Sequence, residues 1–389
     1  MPTRLAVLIL LLLTTACTAT GPAGTRSAAP EQPAPKRVVG YYTGWSTYAR
    51  DFQVRDVRAG RLTHLLYAFG RVDDGRCAPG DAFADFQKPV RDGLPGSATP
   101  AGNIGELRKL KALHPGLKVL WSFGGWTGSA GFPQAAKEPA AFAESCHRLL
   151  NDPRWAGVFD GVDIDWEYPN ACGRTCDRSG RDALTGLLAA LRARFGLVTV
   201  AVPGDVGKLD ATDFAGAARY ADWLNAMTYD FAGTDGKAGP TAAHSPLSGY
   251  PGMPRPAATA GSTVDKLLAL GVPADKVLLG VGFYGRGWTG VRSPRPGATG
   301  TGPAPGRYED GLEDYRVLSR RCPPTGVLGG TAYAVCGDQW WSYDTPETIR
   351  TKMAYARSRA LGGAFAWELS GDSADAALLT AMATGLTGG

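Results

Sequence analysis

Phe159–Pro169 reads FDGVDIDWEYP, and this stretch most narrows what the chain folds into and what it does there. Side chains on a β-strand alternate between faces, so Asp163, Asp165 and Glu167 point one way while Val162, Ile164 and Trp166 point the other. Like charges a few ångströms apart repel each other, and a strand with only a structural role would carry Val or Thr at those places. Crowded carboxyls raise each other's proton affinity, which is how a Glu stays protonated near neutral pH and donates to a leaving group. The alternatives are a solvated acidic face or a Ca²⁺ site. Both fit less well, because apolar residues flank each acid and Ca²⁺ sites sit mainly on loops.

Eight short β-rich runs frame this stretch: Val38–Tyr42, Leu62–Phe69, Leu117–Phe123, Val162–Trp166, Val198–Val202, Trp223–Thr228, Val277–Gly282 and Gly363–Trp367. Between them Ile104–Leu113, Pro139–Leu150, Asp182–Phe195, Thr263–Leu270 and Pro346–Ala360 repeat apolar residues every three to four positions, the pattern of helices packed on one face. That alternation predicts an α/β fold, a (β/α)8 barrel over 37–389, with chemistry at the C-terminal ends of the strands. A chain of 389 residues with 44% hydrophobic content has enough apolar surface for such a core as one main domain. The connection between the seventh and eighth runs is too long for a simple loop. With its Gly/Pro-rich turns and a helix-like Glu309–Leu318, it predicts a small inserted α+β subdomain over 289–340. No separate binding module is expected after the last helix, Asp375–Thr384.

Arg4 followed by the apolar run Leu5–Leu13 is too short to span a bilayer and reads as a secretory signal over 1–17. Thr14-Thr15-Ala16-Cys17 resembles a bacterial lipobox, in which Cys17 would carry lipid and attach the protein to a membrane; Thr14 departs from the usual aliphatic residue, so plain secretion stays open. Residues 18–36, rich in Ala, Pro, Gly and Thr, read as a flexible linker. Apart from Cys17 there are six cysteines, an even number that suggests disulfides in an exported protein. Local pairing joins Cys172 to Cys176 and Cys322 to Cys336, leaving Cys77 for Cys146. A formal charge of +5 with no basic run interleaved with aromatics gives no nucleic-acid footprint, and a neutral polysaccharide fits as a partner. The four His have no metal-ligand spacing, so no metal or other cofactor is expected.

With the acids at 163, 165 and 167 preceded by Asp160-Gly161, the stretch resembles the DGxDxDxE signature of family 18 glycoside hydrolases, the retaining chitinases. The resemblance implies that Glu167 is the proton donor and Asp165 the carboxylate that orients the substrate's acetamido group. It also implies that Asp163 is a buried partner sharing a proton with Asp165 and that Asp160 is structural. In this family the nucleophile is the sugar's own N-acetyl carbonyl. Three further elements match in strand order. Ser122-Phe123-Gly124-Gly125-Trp126 is similar to the SxGG motif, where the glycines allow a sharp turn and leave room for a sugar ring. Met227-Thr228-Tyr229-Asp230 is similar to MxYD, implying that the Tyr229 hydroxyl bonds the acetamido group and Asp230 lines the next subsite. Trp367, ending the eighth run, would be the apolar floor under the sugar at the cleavage point. Tyr284 and Arg286 match positions near the substrate cleft, with a structural ion pair the alternative for Arg286. On the first run Tyr41, Tyr42 and Trp45 either line the cleft or simply pack; we place Tyr42 at the cleft. The inserted subdomain implies one cleft wall, too short for a deep tunnel.

These elements together imply an exported, monomeric chitinase acting on chitin and N-acetylglucosamine oligosaccharides. An endo-β-N-acetylglucosaminidase acting on glycans uses the same chemistry. An inactive chitin-binding lectin is the other alternative, although such proteins usually lose the acidic donor.

Overall fold

The computed structural model describes residues 36–90, 92–95, 100–234 and 238–388, together with Met1. The expected signal segment, Cys17 and nearly all of the 18–36 linker lie outside the described residues. Eight parallel strands close on themselves: β1 Arg37–Thr43, β2 His64–Asp73, β3 Lys118–Gly124, β4 Gly161–Asp165, β5 Val198–Val202, β6 Trp223–Ala226, β7 Val277–Gly282 and β8 Gly363–Trp367. β1 pairs in parallel with β8 on one side and with β2 on the other, which leaves the barrel without an edge.

The strands read as continuous apolar runs because both of their faces are covered. All five residues of β5 (VTVAV) and all six of β7 (VLLGVG) are buried. Toward the outside, helices supply the cover. Ala183–Arg192 buries Leu184, Leu187, Leu188 and Leu191, one stripe at helical spacing. Pro346–Ser358 begins with Thr345 capping the Thr348 amide and Pro346 in the first turn. Toward the inside, Val39, Tyr41, Leu66, Leu120, Trp223, Met227, Leu278 and Phe365 fill the barrel axis with side chains.

Between β7 and β8 the chain forms an antiparallel sheet whose strands are Tyr284–Thr289, Gly302–Pro303, Leu312–Asp314, Gly326–Leu328, Thr331–Cys336 and Gln339–Tyr343, with a helix at Tyr315–Arg321. The subdomain thus runs from Tyr284 to Tyr343, wider than 289–340, because the chain leaves β7 directly into the first inserted strand. The helix-like reading of Glu309–Leu318 is corrected as well. Gly311 takes φ +82°, and Leu312–Asp314 then pairs with Tyr284–Arg286, so a helix starts only at Tyr315. Disulfides join Cys77 to Cys146, Cys172 to Cys176 and Cys322 to Cys336. Among the described residues no helix is long and apolar enough to cross a membrane.

Candidate active site

The register of β3, β4 and β5 sets Ser122, Asp163 and Thr199 side by side, and all three are buried inside the barrel. Asp163 is saturated with donors. Oδ2 accepts from Ser122 Oγ at 2.7 Å and Tyr41 Oη at 3.0 Å, and Oδ1 accepts from Thr199 Oγ1 at 2.5 Å and Asn225 Nδ2 at 3.3 Å. Burial raises its proton affinity while these hydrogen bonds pull it back.

Asp165, two residues on, has a different environment. It is 4% exposed, and its Oδ1 is buried without a hydrogen-bond partner. Burial first, then the Glu167 and Asp163 charges, pushes its carboxyl well above the usual range. Such a carboxyl keeps its proton, and its orphan oxygen is left to accept from a donor that the protein does not supply.

Glu167 lies just past the end of β4, where Ser129 Oγ accepts from its backbone amide at 2.9 Å. Its carboxyl is pushed up to about 7 by burial, opposed by the Tyr168 hydroxyl and Lys208 and reinforced by Asp230. A half-buried carboxylic acid that releases its proton near neutrality is what a general acid requires. Burial and the neighbouring Tyr284, Asp165, Glu167 and Asp230 hold the Tyr229 hydroxyl well above its ordinary value, so it stays a neutral donor. Asp230 takes φ +56° and pairs with Arg286 Nε at 2.7 Å; burial would raise its carboxyl, but Arg286 holds it below the usual range.

The remaining expected residues fall into three groups. Met227, Tyr229 and Trp367 pack against the cluster that fills the barrel axis, and Trp367 stacks on Phe69 at 5.5 Å between centroids. Trp126 stands on the rim, 51% exposed, directly after the two glycines. Tyr284 is buried beside Tyr229 and Asp230, and Arg286 takes the ion-pair alternative with Asp230. Asp160 sits at the opposite end of β4, bonded to Lys111 and to the Val119 amide, away from the three acids.

Two expectations need correcting. Tyr42 is not in the cleft: it faces outward, bonding the Phe52 carbonyl at 3.2 Å and Asn103 at 3.3 Å, while Tyr41, one residue earlier, reaches Asp163. At Gly124 and Gly125 the space of the missing side chains goes to protein and not to a sugar. A Cβ on Gly124 (φ +112°) would lie 2.1 Å from the Asp165 carbonyl oxygen, and one on Gly125 (φ +80°) 2.4 Å from the Phe69 ring. The turn is needed so that β3 can press against the end of β4, and protein atoms fill the space.

A family model for glycosyl hydrolases family 18 matches residues 37–372. The chain belongs to that family. Two curated relatives are "Chitinase C" of Streptomyces lividans, 52% identical over 355 residues, and "Chitinase 63" of Streptomyces plicatus, 51% identical over 366. Those alignments cover 87% and 90% of this chain but 57% and 60% of the relatives, so the chain spans less than two thirds of their length. Among solved structures, the catalytic domain of psychrophilic chitinase B from Arthrobacter TAD20 superposes with a TM-score of 0.84 at 30% identity, covering 91% of this chain and 96% of that one. The Ostrinia furnacalis Group IV chitinase in complex with allosamidin gives 0.80 at 27% identity, covering 91% and 99%.

Within this family 18 barrel, sequence reasoning missed Phe69, Thr199 and Asn225, and of the two candidates on β1 it chose Tyr42 over Tyr41. β1 is buried on both faces, so its apolar pattern carries no parity that would favour Tyr41 over Tyr42. Thr199 sits in an apolar run and is legible only through its register with Asp163. Among the described residues, no three His, Cys, Asp or Glu side chains group closely enough to hold a metal ion.

Proposed function

We propose that the protein is a chitinase that cleaves β-1,4 bonds between N-acetylglucosamine units with retention of configuration. The observation that carries this reading is the unequal treatment of the three acids. Asp163 is saturated with donors, Asp165 keeps a proton beside an orphan oxygen, and Glu167 titrates at about 7. Asp163 and Asp165 are buried, and Asp230, the part-exposed carboxylate near Glu167, is taken up in an ion pair with Arg286, so none of the three is a free protein nucleophile. The attacking oxygen is therefore the substrate's own.

Glu167 gives its proton to the glycosidic oxygen as the bond to C1 breaks, and the acetamide carbonyl oxygen closes on C1 to form an oxazolinium ion. Asp165 accepts from the acetamide N–H, and the neutral Tyr229 hydroxyl donates to the carbonyl oxygen, holding it in line. The Glu167 carboxylate then takes a proton from water, which attacks C1 and reopens the ring, restoring the β-anomer and the acid. Trp367 offers the apolar face of the sugar a floor. The chain acts as an exported monomer, through the signal read at 1–17 and, if Cys17 is lipidated, from a membrane surface.

Anomer-resolved NMR of products from soluble chitin oligomers tests this reading. Newly formed reducing ends should appear as β, and oligomers of glucosamine, lacking the acetyl oxygen, should resist cleavage. Initial α-product, or equal cleavage of the amine form, overturns it. Release of glycans from a glycoprotein with chitin left intact would favour the endo-β-N-acetylglucosaminidase reading instead.

A further inference from the structure

The loop after β1 sends one side chain to three partners, two in the inserted subdomain and one at the end of β8. Arg50 Nη2 lies 2.9 Å from Asp314 Oδ1, Nε lies 3.3 Å from Glu368 Oε1, and Cζ stands 4.2 Å from the centroid of the Tyr308 ring. Asp314 ends the inserted strand that pairs with Tyr284–Arg286, and Glu368 directly follows Trp367 at the mouth of the barrel. The contacts are returned. Arg316 Nε lies 3.2 Å from Asp314 Oδ2, Arg316 Nη1 and Nη2 donate to the Arg50 carbonyl, and Tyr308 Oη donates to the Ala49 carbonyl. Glu368 also accepts from Thr43 at the end of β1 and from Ser370. Asp314 is 1% and Glu368 8% exposed, so both carboxylates depend mainly on protein partners.

Neutralising two buried carboxylates would explain the arginine by itself. What goes further is where the tied elements lead. The β1 loop carries Trp45, 44% exposed and 6.3 Å from Trp367 between ring centroids; Glu368 is bonded to Trp367 through the backbone; and Asp314 pairs with Tyr284, which packs on Tyr229. Trp45, Trp367 and Phe69 together make a continuous aromatic face. Trp45 arrives on the loop after β1 and Trp367 at the end of β8, and among the described residues no disulfide joins those two segments.

We propose that Arg50 is a positioning residue for sugar binding: its forked guanidinium fixes the β1 loop, the end of β8 and the inserted sheet relative to one another, and so holds Trp45 and Trp367 as one platform. This rests on the reading of Trp367 as the floor under the sugar. A lysine cannot take its place, because one ammonium does not reach both carboxylates while stacking on Tyr308. Asp163 on β4 is held by a separate set of donors, and Arg50 touches none of the three acids, so the loss should fall on binding more than on chemistry.

The test is the Arg50→Lys variant, which keeps a positive charge beside Asp314 and Glu368. KM for chitin hexamer should rise about tenfold with kcat changed less than about threefold. In a Glu167→Gln background, calorimetry should give an oligomer Kd about tenfold weaker once Arg50→Lys is added. In a Trp367→Ala background the same substitution should weaken binding less than about threefold, because the platform is already broken. If Glu167→Gln alone binds no oligomer, the reading of the site fails. If it binds and Arg50→Lys leaves Kd within twofold, or if the effect of Arg50→Lys is the same with and without Trp367, the positioning role fails. Should Arg50→Lys not fold, Tyr308→Leu, which keeps both ion pairs and removes the stacked ring, should still weaken Kd two- to threefold; no change there overturns the proposal.

Discussion

Three acids spaced two apart meet three environments, and the difference between them is the chemistry. Glu167→Gln should lower kcat by about 10³-fold while keeping oligosaccharide binding, since a positioned general acid contributes about 10²–10⁴. For the native protein, kcat/KM should fall about tenfold per unit as pH rises past about 7, where Glu167 loses its proton. The sign for stability follows from the same shift. The folded state holds the Glu167 proton to about 7 while the unfolded chain releases it near 4.3, so the folded state loses stability as pH rises between the two. Glutamine has no such titration, so at pH 8 Glu167→Gln should be more stable than the native protein by about 1–3 kcal/mol, allowing for the partial exposure of the site. Urea unfolding at pH 4 and pH 8 measures this; an advantage that does not grow with pH contradicts it.

Whole elements are docked by buried charge and by disulfides. Lys352, on the helix Pro346–Ser358, lies 2.5 Å from Asp344 with both side chains 0% exposed, and it also donates to Ser245 at 2.8 Å. Burial lowers the lysine and raises the aspartate, each against the pull of the other. Lys352→Met therefore strands a buried carboxyl and should cost about 3–5 kcal/mol in urea unfolding, whereas removing both charges together should cost less. Cys77 and Cys146 tie the hairpin strand Arg76–Ala78 to the helix Pro139–Leu150 across 69 residues of chain. Replacing both with Ser should destabilise by about 4 kcal/mol on the loop-closure estimate, seen as a lower Tm with the pH profile unmoved. The inserted sheet illustrates where element boundaries escape the sequence. Glu309–Leu318 carries helical spacing, yet Gly311 turns the chain and strand pairing with Tyr284–Arg286 takes the next three residues.

For the molecule as a whole, a formal charge of +5 on 389 residues and the neutral substrate we propose leave little for long-range steering to act on. Raising salt from about 50 to 500 mM should change kcat/KM on chitin oligomers less than about twofold; a steep fall would point to an anionic partner instead. Local sequence determined the strand runs, the alternation that builds a barrel, and which strand carries the acids, because periodicity and crowded like charges are properties of neighbours along the chain. The tertiary structure alone decided that Tyr41 and not Tyr42 meets Asp163, that Thr199 and Asn225 complete its shell, and that the paired glycines make way for the end of β4 and the Phe69 ring. The physical reason is the same in each case. A strand buried on both faces has no polar side to mark its parity, and a close approach between two backbones belongs to their register, which no single run of residues contains.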